Sequence, residues 1–123
     1  SANDKPWYVA KKDIVKNIII VVQGENHPAL FSQEIIVNDI NWINASPNSF
    51  PIECFAKVRY RDQDKLCSIF LLDNGSYLIK FNSKEKAITP GQSIVFYDKK
   101  NYCLGGGIIS KRDIPFLGEK IDE

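Results

Sequence analysis

Residues 86–109 read Lys-Ala-Ile-Thr-Pro-Gly-Gln-Ser-Ile-Val-Phe-Tyr-Asp-Lys-Lys-Asn-Tyr-Cys-Leu-Gly-Gly-Gly-Ile-Ile. Pro90 is pre-set for the second position of a turn and Gly91 is free to take φ > 0 in the third. Thr89-Pro90-Gly91-Gln92 therefore predicts a type II turn. The apolar run Ser93 to Tyr97 predicts a strand, Asp98-Lys99-Lys100-Asn101 a second turn, and Tyr102 to Ile109 a returning strand interrupted by Gly105-Gly106-Gly107. Glycines inside a strand more often mark a bulge or a barrel corner. A phosphate-binding loop would need a following Lys-Ser/Thr and a helix, and neither is present here.

Working outward, a period of two dominates the chain. Trp7 to Lys12 and Asn17 to Gln23 are β-rich runs around Asp13-Ile14-Val15-Lys16 and predict a hairpin. Gly24-Glu25-Asn26-His27-Pro28 predicts a loop. Glu34 to Asn44 reads as one further strand, with Ile36, Ile40 and Trp42 on one side. Ile52 to Arg61 alternates, placing Ile52, Cys54, Ala56, Val58 and Tyr60 on one face and Glu53, Phe55, Lys57, Arg59 and Arg61 on the other. Leu66 to Leu72 is apolar on both faces except Ser68, as a well-covered central strand would be. Asp73-Asn74-Gly75-Ser76 predicts a hairpin turn with positive φ at both Asn74 and Gly75. Tyr77 to Phe81 returns, and Asp113 to Glu123 reads as a loosely held tail. Short strands with regular turn signals and no convincing helix predict an all-β barrel or sandwich.

The chain has 123 residues, enough for one domain and one core, with 16 basic and 15 acidic residues and a net charge of +1. That balance argues against a free-standing non-specific nucleic-acid binder, whose affinity comes from neutralised phosphates, but it permits a local basic patch. Methionine is absent, and Ser1-Ala2-Asn3 reads as residues added before an internal start. No apolar run reaches the ~20 residues of a membrane span. Cys54, Cys67 and Cys103 are odd in number and lack Cys-x-x-Cys spacing, which predicts reduced, buried thiols rather than a disulfide framework or zinc site.

Lys57, Arg59 and Arg61, at every second position, would line one sheet face with three cations over about 13–14 Å. Arginine donates bidentate hydrogen bonds to phosphate, and the neighbouring Tyr60 and Phe55 offer rings for a splayed base. The plain alternative is a solvated outer face. The side-chain amide of Gln92 can read a base edge, or simply be a wetted turn residue. His27, the single histidine, has no ligand-spaced partners beyond Glu25, so it reads as a hinge or boundary contact rather than a metal ligand or a general base. No nucleophile–base pair can be assembled, so no catalytic residue and no metal site is assigned.

Several ordered motifs are similar to the bacterial tRNA-specific 2-thiouridylase family. They are Pro-Trp-Tyr-Val (6–9), Gln-Gly-x-x-His-Pro-x-Leu (23–30), Asp-Ile-Asn-Trp (39–42), Lys-Val-Arg-Tyr-Arg (57–61) and the Thr-Pro-Gly-Gln … Cys-Leu-Gly-Gly-Gly block (89–107). The resemblance implies a C-terminal antiparallel β-barrel similar to a barrel domain of elongation factor Tu (32–112). A hairpin remnant of a central domain (6–31) would precede it, with residues 1–5 as an added scar or linker and 113–123 as tail. It implies that Arg59, Tyr60 and Gln92 contact tRNA, with Lys57 and Arg61 as additional contacts. For the full-length enzyme it implies ATP-dependent 2-thiolation of the wobble uridine, a persulfide sulfur donor, a sulfur-relay protein and a cytoplasmic location. The family's Ser-Gly-Gly-x-Asp-Ser nucleotide loop and its sulfur-carrying cysteines have no counterpart in this sequence. No cofactor is therefore assigned to the chain, and by itself it is expected to be inert. Its partners would be tRNA and the missing catalytic and central domains, with no membrane. One rival is a purely structural barrel that packs on the catalytic domain; another is a free-standing flavin-binding barrel of the reductase type, for which no phosphate-binding pattern is visible.

Overall fold

In a computed structural model, residues 5–59 and 63–121 are described. Nine strands follow in order: β1 (Trp7–Asp13), β2 (Ile18–Gln23), β3 (Phe31–Val37), β4 (Asn41–Trp42), β5 (Ile52–Lys57), β6 (Lys65–Leu71), β7 (Tyr77–Lys86), β8 (Ser93–Tyr97) and β9 (Cys103–Arg112). The only helical pieces among the described residues are two single 3-10 turns, Pro28–Leu30 and Pro115–Leu117. None of the described helices is long and apolar enough to cross a membrane.

β1 and β2 form the expected hairpin as a separate two-stranded sheet. The others run antiparallel in the order β3-β7-β6-β5-β8-β9, and β3 pairs again with β9, so six strands close into a barrel. Strands β5, β6 and β7 form a meander, and β8 returns beside β5, which is Greek-key connectivity. Closure leaves no open edge in the ring. The interior is filled by Ile35, Val37, Cys54, Ala56, Cys67, Ile69, Ile79, Phe81, Ile94, Phe96 and Ile109, contributed by all six strands.

The glycine run sets the closure. β4 pairs with Gly105 and Gly106 along the same edge of β9 that β3 occupies further on. A Cβ on Gly105 would overlap the carbonyl oxygen of Asn41, and one on Gly107 would overlap that of Asp39 and lie 2.7 Å from Val37 Cγ1. On Gly106 it would sit 2.8 Å from the Ile94 carbonyl oxygen. Real side chains do not approach so closely, so residues 37–42 lie against β9 only because Gly105 and Gly107 lack one, while the missing side chain of Gly106 makes room for β8.

Four local expectations are corrected. The run 34–44 breaks between Val37 and Asn41, and Ile35 and Val37, rather than Ile36, point into the barrel. β5 ends at Lys57, not at Arg61. β6 is buried on its inner face, at Cys67 and Ile69, while the outward Leu66 is exposed, because a barrel has a single interior. The 73–76 turn has positive φ at Gly75 but not at Asn74, and Gly75 N–H donates to Leu72 at 3.0 Å. This is the three-residue loop with a left-handed glycine instead of the two-residue turn. The type II turn at Thr89–Gln92 matches expectation, with Gly91 at φ 94° and Gln92 N–H donating to Thr89 at 3.3 Å.

Residues 113–121 are not a loose tail. Ile114 is buried with Ala10, Ala29 and Leu30 in a second small core, against Ile20, Val22 and Phe31. Lys11 forms an ion pair with Glu119. Asp113 Oδ1 accepts from the N–H groups of Gln33 (2.9 Å) and Glu34 (3.1 Å). The Arg112 guanidinium donates to the carbonyls of Ala10 (2.6 Å) and Ala29 (3.0 Å) and to Ser32 Oγ (2.8 Å). One residue pair at the end of β9 thus binds the hairpin, the connecting loop and β3 together.

Gly107→Ala should lower stability by about 1–3 kcal/mol through enforced backbone displacement. Urea unfolding of the variant against the parent chain reads this directly, and an unchanged midpoint would refute the close approach.

Candidate nucleic-acid interface

Two of the residues singled out from sequence, Arg59 and Gln92, meet around one loop, Lys86-Ala87-Ile88-Thr89, which joins β7 to the Pro-Gly turn. Arg59 lies two residues beyond β5 and is exposed. Its guanidinium donates from Nη1 to the Ala87 carbonyl (3.0 Å) and from Nη2 to the Lys86 carbonyl (3.3 Å). Gln92 approaches from the other end, and its Oε1 accepts from Thr89 N–H at 2.9 Å. Ala87 N–H donates to Leu30 at 2.9 Å. Three directions of hydrogen bonding therefore fix a segment only four residues long.

Ala87 has φ 58°, in the left-handed region that costs a non-glycine residue about 1–2 kcal/mol. Such strain persists only where the surroundings over-determine it, and the Leu30 and Arg59 bonds are the constraint here.

The loop separates two clefts. One, of about 130 Å³, has an apolar floor of Val58, Phe81 and Ile88 and a charged rim of Arg59, Lys65, Glu85 and Lys86. The other, of about 330 Å³, lies between barrel and hairpin and includes Tyr8, Leu30, Lys86, Thr89 and Arg112. Lys65 pairs with Glu85 at 3.5 Å. Lys86 donates to Asn26 Oδ1 at 3.3 Å and lies 4.0 Å from Glu25 Oε2.

Of the expected row of three cations, the two that are described, Lys57 and Arg59, have different surroundings. Lys57 lies on the outer face of β5, 3.6 Å from Asp64 Oδ1 and over the Tyr97 ring at 5.8 Å. Arg59 instead turns to the 86–89 loop. Tyr60 and Arg61 lie outside the described residues. Lys86 and Arg112 had drawn no attention in the sequence. Nothing local distinguishes Lys86 from the other lysines, and the contacts that tie Arg112 to the hairpin, the Ala29 loop and β3 lie 80 or more residues away.

His27 Nδ1 accepts from Ala29 N–H at 3.0 Å, capping the short 3-10 turn, and its ring meets Phe116 edge-on at 5.0 Å. It joins the connecting loop to the C-terminal 3-10 turn. No cluster of potential metal ligands occurs among the described residues. Cys54 and Cys67 face each other across β5 and β6 inside the barrel, Sγ to Sγ 3.8 Å. The hydrogen bond with Cys54, reinforced by burial, pushes the Cys67 thiol far above the ordinary range. Cys103, expected to be buried, is exposed.

A profile described as the aminomethyltransferase beta-barrel domain matches residues 32–109. The chain belongs to that family. Among its relatives are the tRNA-specific 2-thiouridylases MnmA of Legionella pneumophila, 48% identical over 111 residues, and of Coxiella burnetii, 49% identical over 109. That of Vibrio vulnificus is 44% identical over 110 residues. These alignments take in about nine-tenths of the chain, which spans about 30% of the length of these relatives. As a member of the β-barrel domain family, the chain is thus homologous to part of a tRNA-thiolating enzyme. The resemblance carried by the motifs at 6–9, 23–30, 39–42, 57–61 and 89–107 is confirmed, as is the all-β barrel it implied.

Two outcomes test the site's construction. Ala87→Gly should be neutral or stabilising by about 0.5–1 kcal/mol, as relieved left-handed strain offsets added unfolded-state freedom, whereas Ala87→Val should lose more than about 1 kcal/mol. Thermal unfolding separates the two. In a native thiol titration Cys103 should react promptly, and Cys54 and Cys67 only after denaturant is added.

Proposed function

We propose that this chain is the tRNA-positioning C-terminal domain of a tRNA-specific 2-thiouridylase. The observation that carries the reading is the convergence of Arg59 and Gln92 on one loop. Both residues had been nominated separately, by motif, as tRNA contacts, and they lie 33 positions apart in the chain. A loop held from both ends offers a rigid surface for a phosphodiester backbone, with Lys86 beside it. Arg59, Tyr60 and Gln92 are the proposed contacts, and Lys57 and Arg61 the additional ones.

In this reading the parent enzyme performs ATP-dependent 2-thiolation of a wobble uridine in the cytoplasm, with sulfur delivered through a persulfide and a relay protein. The nucleotide and sulfur chemistry belongs to its other domains, and the barrel holds the tRNA against them. Residues 32–112 would be the barrel domain proper and 6–31 the end of a central domain. The hairpin supports this division, since the face carrying Trp7, Val9, Ile19 and Val21 is exposed and apolar, as a surface covered by the rest of a larger protein would be. That same face favours the second reading, a barrel that serves only to pack on the catalytic domain.

Titration of labelled tRNA with the chain should give a dissociation constant on the order of 10⁻⁵ M at physiological salt, weakening as salt rises. Arg59→Ala combined with Tyr60→Ala should reduce that affinity at least about fivefold. In the intact parent enzyme the same pair should leave ATP binding unaltered. Unchanged tRNA affinity with reduced thermal stability would favour the packing role instead.

A further inference from the structure

The larger cleft is built of parts that suit an unstacked nucleotide. Its aliphatic wall comes from Leu30 and Ile88, and Tyr8 of the hairpin supplies an aromatic side chain. Lys86 and Arg112 bring positive charge, with Thr89 at the margin. The volume, about 330 Å³, reaches the size at which pockets begin to enclose small ligands.

Its electrostatics are unusual for a half-buried cation. The oxygens bonded to Arg112, those of Ala10, Ala29, Ser32 and Asp113, are all neutral carbonyl or hydroxyl oxygens. The Asp113 carboxylate is instead directed at the N–H groups of Gln33 and Glu34. No carboxylate is bonded to the guanidinium, and Asp113 and Glu119 act on its charge only through space. Glu25 is the one acid on the lining, exposed and 4.0 Å from Lys86 Nζ. The balance favours an anion.

We propose that the hairpin–barrel cleft is a subsite for one unstacked nucleotide of the tRNA, with its phosphate toward Lys86 and Arg112 and its base against Tyr8 and the aliphatic wall. The inference rests on the tRNA-binding reading and adds a site to it. RNA is read mainly at unpaired nucleotides whose bases lie on aromatic or guanidinium planes, and this cleft carries both kinds of group. Arg59 and Gln92 then act as positioning residues as well, since the loop they hold forms the cleft's barrel wall.

The test is fluorescence anisotropy of a labelled tRNA transcript titrated with the chain between about 50 and 200 mM salt. Lys86→Gln should weaken binding about three- to tenfold and reduce the salt slope by about one. Tyr8→Leu keeps apolar bulk but loses the ring, and should weaken binding about fivefold with the slope unchanged. Lys99→Gln removes the same charge in the 98–101 turn, at the far end of β8 from the cleft, and should stay within about twofold of the parent chain. Thermal midpoints are compared alongside, and Lys86→Arg should restore binding if charge is what matters. Parent-like binding by both Lys86→Gln and Tyr8→Leu overturns the subsite and leaves the tRNA reading standing. Absence of tRNA binding by the unmodified chain overturns that reading and the subsite with it.

Discussion

Three consecutive residues without side chains hold this fold closed. Gly105 and Gly107 let residues 37–42 lie against β9 at distances no Cβ would tolerate, and Gly106 does the same for β8. Along that seam β3 and β4 take up successive stretches of one strand edge, and a six-stranded sheet becomes a barrel with a single interior. The inward alternation of Cys54 and Ala56, of Cys67 and Ile69, and of Ile94 and Phe96 has a common destination only because the ring is shut. Without the seam, the edges of β3 and β9 would be exposed to pairing with other chains.

A second constraint ties the hairpin to the ring. Arg112 and Asp113 sit where β9 leaves the barrel, and between them they bind β1, the loop at Ala29 and the start of β3. The arginine is used as a multi-donor connector to neutral oxygens, a task its rigid planar fork suits and a lysine could not share. Burial lowers its pKa from the ordinary arginine value, while Asp113 and Glu119 oppose that shift. A charged connector at a joint has two consequences. It fixes the relative placement of the two sheets, and it leaves a positive field in the space between them.

The 86–89 loop is where architecture and proposed chemistry meet. It is held by Arg59, by Leu30 and by Gln92, and it bends through a left-handed alanine. A rigid loop contributes to binding mostly by having little freedom left to lose when a ligand arrives. Arg59 and Gln92 therefore serve the interface twice over in the proposed scheme, as donors or acceptors to RNA and as braces for the loop itself.

Local chemistry was readable along the chain. The Pro90-Gly91 turn, the β1–β2 hairpin and the inward face of β5 from Ile52 to Ala56 depend on residues within a few positions of one another, and the ordered motifs carried the family. Misreadings arose where a distant contact outweighed a local pattern. The alternation through Lys57, Arg59 and Arg61 suggested one long strand, yet β5 stops at Lys57 and Arg59 swings to carbonyls 27 and 28 residues away. The polar stretch after Arg112 looked unanchored because the partners of Asp113 and Glu119 lie some 80 and 108 residues earlier. Sequence by itself determined the strand periods, the turn chemistry and the family, since each rests on neighbouring dihedrals or on order along the chain. Tertiary structure alone decided barrel closure, the bracing of the 86–89 loop and the cleft beside it, because these depend on which remote backbones come within a hydrogen bond of each other.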